Sequence, residues 1–160
     1  MDTFLSTTSI QLIPIQIAAS WISLWLIIRL FSTRVVATWL ANGFLLSAIA
    51  AILIANLGTE LSLYDELNFR GILISQIIGM NLLVMPFLYW LDKRRSFIED
   101  ASRIPEAALH GLSFFCGAGG ALLSQKHFHH KTVKPGFRAK TWGAFALNLV
   151  FFYAILFYMS

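Results

Sequence analysis

The chain has 160 residues and a mass of 18.0 kDa; 58% of its residues are hydrophobic and 12% are charged. A soluble domain usually has about a quarter of its residues charged. The 12 basic and 8 acidic side chains could not cover so much apolar surface, and the mean hydropathy is +0.71. This composition excludes a soluble globule, a disordered chain, a disulfide scaffold and a nucleic-acid-binding domain. It predicts an integral membrane protein.

Four apolar runs are long enough, or nearly so, to cross about 30 Å of hydrocarbon, which takes about 20 helical residues. Helices are the open-ended structures that satisfy backbone hydrogen bonds in lipid. We therefore predict an all-α fold with four spanning helices, at residues 10–28, 36–57, 71–91 and 142–159. The first two would form an N-terminal hairpin within residues 1–60. The other two would belong to a second membrane domain over residues 70–160.

A fifth apolar run, residues 104–124, is weaker because it contains ionisable side chains and several glycines. If it crossed the membrane, the basic connections before and after it would face opposite sides, against the positive-inside rule. A re-entrant helix–break–helix hairpin would place both connections on one side. Glycine adopts backbone conformations that other residues resist, so the turn is predicted at Gly117, Gly119 and Gly120. The alternative is a fifth spanning helix whose glycines allow close packing.

The basic residues predict the orientation. The connections at residues 29–34, 92–103 and 125–140 all carry Lys and Arg, which places them on the cytoplasmic side. Tryptophan suits the headgroup region, and indoles lie beside cations at these helix ends, namely Trp25, Trp39, Trp90 and Trp142. Both termini would then lie outside. The predicted location is the bacterial inner (cytoplasmic) membrane.

Small and polar residues within the spans predict helix packing. Gly43, Ser47, Ala51 and Ala55 recur at four-residue spacing, so they form a stripe on which another helix backbone can lie close. A helix of the same chain is the favoured occupant, and a partner protein is the alternative. Polar side chains inside spans are expected to hydrogen-bond between helices; these are Asn42, Gln76, Asn81 and Asn148.

Glu106 and His110 form the candidate polar pair, because residues four apart lie on one face of a helix. They could share a proton, bind a metal or simply satisfy each other, and mutual pairing is favoured. His110 is also the best candidate axial ligand if the chain binds haem or chlorophyll, a minority possibility. No metal or cofactor is predicted, and the single Cys116 is interpreted as a small buried hydrophobe.

A basic juxtamembrane surface is the candidate site for anionic lipid, since each Lys or Arg near such a surface adds about 1 kcal/mol of attraction. The candidate lipid- or anion-binding residues are Lys93, Arg103, His130, Lys131 and Lys134. Residues 127–134 hold three histidines but no Cys or acid nearby, which is a weak ligand set for zinc.

Four short motifs occur in one order over about 45 residues: LDK at 91–93, RIPE at 103–106, GAGGA at 117–121 and HKT at 130–132, followed by Lys134 and Phe137. In these the chain resembles the domain of unknown function 1294 family of small polytopic membrane proteins, over residues of about 90–140. Cys116 departs from the family pattern, which tends to have the first of two glycines there, and His129 stands where an arginine is usual. The resemblance implies a membrane fold and no established activity.

The favoured function is a non-enzymatic accessory or assembly subunit of a larger membrane complex, with its basic cytoplasmic face on anionic lipid. The expected partners are anionic lipids and other membrane subunits, and not nucleic acid. One alternative is an enzyme or binding protein for a lipid phosphate, with Glu106 and His110 handling protons. Another is a pigment- or haem-binding subunit that uses His110.

Overall fold

The computed structural model describes residues 7–61, 69–99, 101–128 and 135–158, and every regular element in these ranges is a helix. The predicted all-helical class is confirmed. The helices are α1 (Thr7–Phe31), α2 (Arg34–Glu60), α3, α4 (Glu106–Leu112), α5 (Ala118–Phe128) and α6 (Pro135–Tyr158). Helix α3 consists of Phe69–Gly79 and Met85–Arg95, joined without interruption by the π-helical turn Met80–Val84.

Three of the described stretches are long and apolar enough to cross a membrane: Arg34–Gly58, Gly71–Arg95 and Glu106–Phe128. The apolar stretch Ala18–Phe31 of α1 is shorter. The runs predicted at 36–57 and 71–91 are therefore helices of spanning length. The run predicted at 10–28 falls within α1, and the run predicted at 142–159 falls within α6 up to Tyr158, beyond which residue 159 lies outside the described residues.

Helix α2 packs along α3 through its small residues. Ser47, Ala51 and Ala55 are buried, and the amide of Gln76 on α3 donates a 2.8 Å hydrogen bond to Ser47 Oγ. At Gly43 an added Cβ would meet the side chain of Leu112. The stripe of small residues on α2 is thus occupied by α3 and α4 of the same chain.

The main core lies where α2, α3, α4 and α5 meet. Its largest fully buried apolar side chains belong to α3 and α4, and half-buried side chains of α2, among them Trp39 and Phe44, pack against them. Many large apolar side chains on the outside of the helices are exposed. The apolar surplus of the sequence therefore faces outward as well as inward, as expected of a protein dissolved in lipid.

The segment from Ile104 to Phe128 folds back on itself. Its first backbone N–H, at Ile104, donates to Asp92 Oδ1 (3.0 Å), and its last carbonyl, at Phe128, accepts from Lys93 Nζ (2.7 Å). A straight helix of this length would be about 36 Å long, whereas two residues adjacent in the chain reach both of its ends. Helices α4 and α5 are therefore the two arms of a hairpin, which we call the folded-back hairpin.

The turn of the hairpin is not at the predicted glycines. The non-helical residues are Phe115 (φ −87°, ψ 65°) and Cys116 (φ 71°, ψ 3°), and Cys116 is the one residue with a positive φ in the described ranges. Glycine is favoured in a turn where the backbone needs a positive φ, but in this turn the residue with the positive φ is Cys116. Here Gly117, Gly119 and Gly120 are helical, and at Gly120 an added Cβ would lie 2.7 Å from the Cα of Asn81. That glycine provides close packing instead.

The four polar residues predicted to hydrogen-bond between helices do so. Trp21 Nε1 donates to Asn42 Oδ1 (3.3 Å), and Gln76 bonds Ser47. The other two hold the turn of the hairpin. Asn81 Nδ2 donates to Cys116 O (2.6 Å) while Gly120 N donates to Asn81 Oδ1 (2.6 Å), and Asn148 Nδ2 donates to Ser113 O (2.9 Å).

The basic connections gather at one end of the bundle. The guanidinium of Arg95, at the end of α3, lies 5.2 Å from the ring centre of Trp39, near the start of α2. Arg94 lies over Trp90 at the same distance. Because the hairpin starts and finishes here, this end also holds Arg103 and Lys126. We call it the basic end; Glu60 terminates α2 at the opposite end.

Candidate functional site

Asp92 is a fully buried carboxylate in the last turn of α3. A negative charge is unfavourable at a helix C-terminus, and burying a charge is costly unless it is paired. Both carboxylate oxygens have partners in the connection that leads to α4. Oδ1 accepts a hydrogen bond from Ile104 N (3.0 Å), and Oδ2 lies 3.6 Å from Nη2 of Arg103. The Arg103 side chain is half exposed, so the pair joins the interior to the basic end.

One turn earlier on α3, the buried Tyr89 links three helices. Gln125 Nε2, on α5, donates to Tyr89 Oη and to Thr141 Oγ1 of α6, both at 3.0 Å. Thr141 in turn donates to Phe137 O (3.1 Å). Gln125 Oε1 has no hydrogen-bond partner within the described part of the chain. This network fastens the second arm of the hairpin between α3 and α6.

The predicted pair, Glu106 and His110, lies on the first arm of the hairpin and is half buried. The carboxylates of Glu106 and Asp92 both act electrostatically on the Tyr89 hydroxyl. The His110 ring packs on Phe137 with centroids 4.2 Å apart. The carbonyl of Phe137 accepts from Thr141, so the His110 ring lies beside the network of Tyr89. Both members of the pair have interacting partners.

Together these side chains form a polar cluster at the inner side of the basic end: Tyr89, Asp92, Glu106, His110, Gln125 and Thr141. The cluster contains acids, an imidazole and a phenol, which can hold or pass a proton, and an amide and a hydroxyl, which donate and accept hydrogen bonds. Among the described residues there is no group of three or more His, Cys, Asp or Glu that could hold a metal ion. The hydrogen bonds of Gln125 and the ring contact of His110 join the hairpin to α3 and α6.

The predicted anion-binding residues are distributed differently. Lys93 donates to the carbonyl that ends α5, and Arg103 faces Asp92, so both cations have interactions within the fold. The other three, His130, Lys131 and Lys134, lie outside the described residues. Two further basic residues lie on the last turn of α5: Lys126 and His127, both exposed.

Sequence reasoning gave no site role to Asp92, Tyr89, Gln125 or Thr141, although Asp92 belongs to the LDK motif at 91–93. A signal existed for Asp92 and Gln125, because each directly follows an apolar run in which a charge or amide is costly. The folded-back hairpin brings these four residues together, because it returns Gln125 to the side of Tyr89. Spacing along the chain does not reveal that return.

Two open apolar grooves flank α5. The larger, of about 710 Å³, is lined by Pro86, Leu123, Ser124, Lys126, His127 and Phe128. The smaller, of about 320 Å³, lies between α3, the hairpin turn and α6, and its lining includes Asn81, Cys116, Leu123, Phe145 and Phe152. Leu123 belongs to both linings, so the two grooves adjoin each other.

Residues 81–137 match the model of a protein family described as a protein of unknown function, DUF1294. The match begins at Asn81, which holds the hairpin turn, and ends at Phe137, which packs on His110. It confirms the family resemblance of this segment and leaves α1 and α2 outside. No curated protein and no solved structure matches the chain.

Proposed function

We propose that this chain is a non-catalytic integral membrane protein, an accessory or assembly subunit, whose basic end rests on the anionic cytoplasmic leaflet. One observation carries the proposal. Asp92 binds the first residue of the folded-back hairpin and Lys93 binds its last, so Arg103 before the hairpin and Lys126 in its last turn lie at the same end of the bundle. The same end receives Arg95 and Trp39.

In the membrane the folded-back hairpin is a re-entrant segment. It reaches from the level of Asp92 to that of Asn81, about 16 Å along α3, which is about half of the hydrocarbon thickness. Irregular backbone at that depth is tolerated where protein surrounds it. The side-chain amides of Asn81 and Asn148 supply the hydrogen bonds that the turn requires.

Helices α1, α2, α3 and α6 then span the membrane, and the positive-inside rule orients them. Arg29, Arg34 and the residues of the basic end face an inner membrane's cytoplasmic, anionic surface. Glu60, at the other end of α2, faces outward. This arrangement reconciles every basic connection with one side without a fifth span.

The accessory role rests on how the polar groups are used. Asp92, Tyr89 and Gln125 hydrogen-bond or pair with neighbouring elements, which supports a structural use of the cluster. The outer face of α6 carries large exposed apolar side chains, namely Leu147, Leu149, Val150, Phe151 and Tyr153. Such a face suits contact with lipid and with larger membrane subunits.

Cysteine labelling in oriented membrane vesicles tests the topology. In a Cys116→Ala background, Ser96→Cys and Gly136→Cys place one exposed thiol before the hairpin and one after it. We expect a membrane-impermeant maleimide to reach both from the cytoplasmic side, and Glu60→Cys from the other side. Labelling of Ser96→Cys and Gly136→Cys from opposite sides would mean that residues 106–128 cross the membrane, and would overturn the proposed topology.

Native purification tests the accessory role. Extraction in mild detergent should recover the chain at fixed stoichiometry with larger membrane subunits, identified by mass spectrometry. Leu147→Arg, on the exposed face of α6, should weaken that association more than Lys140→Gln at the basic end. Recovery of the wild-type chain as a lone monomer, with its topology intact, would exclude the accessory role.

A further inference from the structure

The hydroxyl of Ser124 has no partner in the described part of the chain, although the residue is only 2% exposed. A serine within a helix usually donates back to a carbonyl of the preceding turn, as Ser113 does to Leu109 O at 2.8 Å. A buried hydroxyl that forgoes this bond costs free energy unless something outside the protein satisfies it. Ser124 lines the larger groove, so that groove is where its partner would lie.

The larger groove has a charged rim and an apolar floor. Lys126 and His127, on the last turn of α5, stand at the basic end, whereas Pro86, Leu123 and Phe128 supply apolar surface. Its volume of about 710 Å³ lies within the range of ligand-binding pockets. The Lys126 ammonium is complementary to a phosphate, the His127 imidazole can donate a hydrogen bond to it, and Ser124 lies less than one helical turn further into the bundle.

The smaller groove continues the larger one toward the hairpin turn. Leu123 lines both, and beyond it the wall is formed by Phe145, Leu149 and Phe152 of α6. From Lys126 to Cys116 the path runs about 15 Å, judged by the helical rise. A single acyl chain fits such a narrow apolar path, and the phosphate of the same molecule fits the rim.

We propose that the two grooves bind one anionic phospholipid. Its phosphate lies between Lys126 and His127, the Ser124 hydroxyl donates to an ester oxygen next to the headgroup, and one acyl chain passes Leu123 toward Phe152. This site rests on the proposed orientation, in which the basic end meets the cytoplasmic leaflet. The proposed function places the basic end on an anionic lipid surface, and the present proposal adds a specific binding site for one lipid molecule.

The decisive comparison uses Ser124 and Ser75, two buried serines whose hydroxyls have no partner among the described residues. Phosphatidylglycerol or phosphatidylcholine is titrated into the full-length protein in mild detergent, and bound lipid is counted by native mass spectrometry. We expect tighter binding of phosphatidylglycerol, and a loss of affinity of about fivefold in Ser124→Ala. Ser75→Ala, which removes an equivalent hydroxyl outside the grooves, should bind as the wild type does. Equal binding of the two lipids, or equal affinity in Ser124→Ala and the wild type, would overturn the site.

Two further pairs of variants separate the headgroup from the chain. Lys126→Gln should reduce the preference for phosphatidylglycerol, and Lys140→Gln, the same charge change at the same end but outside the groove, should not. Leu123→Trp should obstruct the junction of the grooves and weaken both lipids, in contrast to Leu147→Trp on the exposed face of α6. Equal effects within either pair would refute the site.

The lipid titration and the cysteine labelling test the lipid site and the topology independently. If Ser96→Cys and Gly136→Cys are labelled from one side while Ser124→Ala and Lys126→Gln bind lipid normally, the lipid site is wrong and the topology stands. If the two thiols are labelled from opposite sides, the proposed orientation itself is wrong.

Discussion

Replacing Asp92 with alanine is expected to lower the free energy of unfolding by about 3 kcal/mol, because a buried N–H donor loses a charged acceptor. The carboxylate is fully buried and holds the start of the hairpin through Ile104 N and Arg103. Its removal leaves that N–H without its acceptor and Arg103 without its counter-charge. The first arm of the hairpin should therefore detach from α3. Equilibrium unfolding in mixed detergent micelles measures the loss.

Glu99→Ala is the matched control, since Glu99 is an exposed carboxylate on the same connection. It should change stability by less than about 0.5 kcal/mol, as surface substitutions do. Asp92→Asn should fall between the two, because the amide oxygen can still accept from Ile104 N but no longer carries charge. Arg103→Ala should also lower the stability, because it leaves the buried Asp92 carboxylate without its counter-charge. Equal stability of Asp92→Ala and Glu99→Ala would show that the buried carboxylate does not hold the hairpin.

The positions of the helices follow from hydropathy alone, because each run of apolar residues needs a helical backbone wherever it is removed from water. The helix boundaries differ mainly where polar residues extend an apolar run. Helix α3 continues to Arg95 rather than ending at Leu91, and α6 begins at Pro135 rather than at Trp142. Cations at a helix C-terminus complement its dipole, so the residues after Leu91 stay helical.

The return of the hairpin was predictable from charge, but its turn was not. Basic residues before Ile104 and after Phe128 favour a segment that comes back to the side it left. The position of the turn depends on tertiary contacts: Asn81 accepts from Gly120 and donates to the carbonyl of Cys116. Those bonds hold a cysteine at a positive φ, a conformation that non-glycine residues rarely adopt.

The candidate site was predictable only in part. Glu106 and His110 stand out because they are ionisable residues in an apolar run, four positions apart. Their surroundings come from other elements: Asp92 and Tyr89 from α3, and Phe137 from α6. Local spacing indicates a shared helix face, but it carries no information on which distant residues that face meets.

The tightest contact between the hairpin and α3 is at Gly120, and substitution there is expected to have an effect comparable to loss of Asp92. In Gly120→Ala the new methyl group would lie 2.7 Å from Asn81 Cα and closer still to the Asn81 carbonyl oxygen. These are backbone atoms, so no rotamer change relieves the overlap. Overpacking typically costs about 1–3 kcal/mol and more where the neighbours cannot move, and we expect about 3 kcal/mol or more.

Gly143→Ala is the matched control, and we expect it to leave the stability unchanged or to raise it slightly. Gly143 lies inside α6, and an added Cβ would meet no atom of the described residues within 4 Å. Alanine is favoured over glycine within a helix by about 0.5–1 kcal/mol, so this variant should be as stable as the wild type or slightly more so. Unfolding of the two variants is compared in the same mixed micelles. A Gly120→Ala protein as stable as Gly143→Ala would mean that α5 does not lie against the backbone of Asn81, and that the hairpin is packed differently from the structure described above.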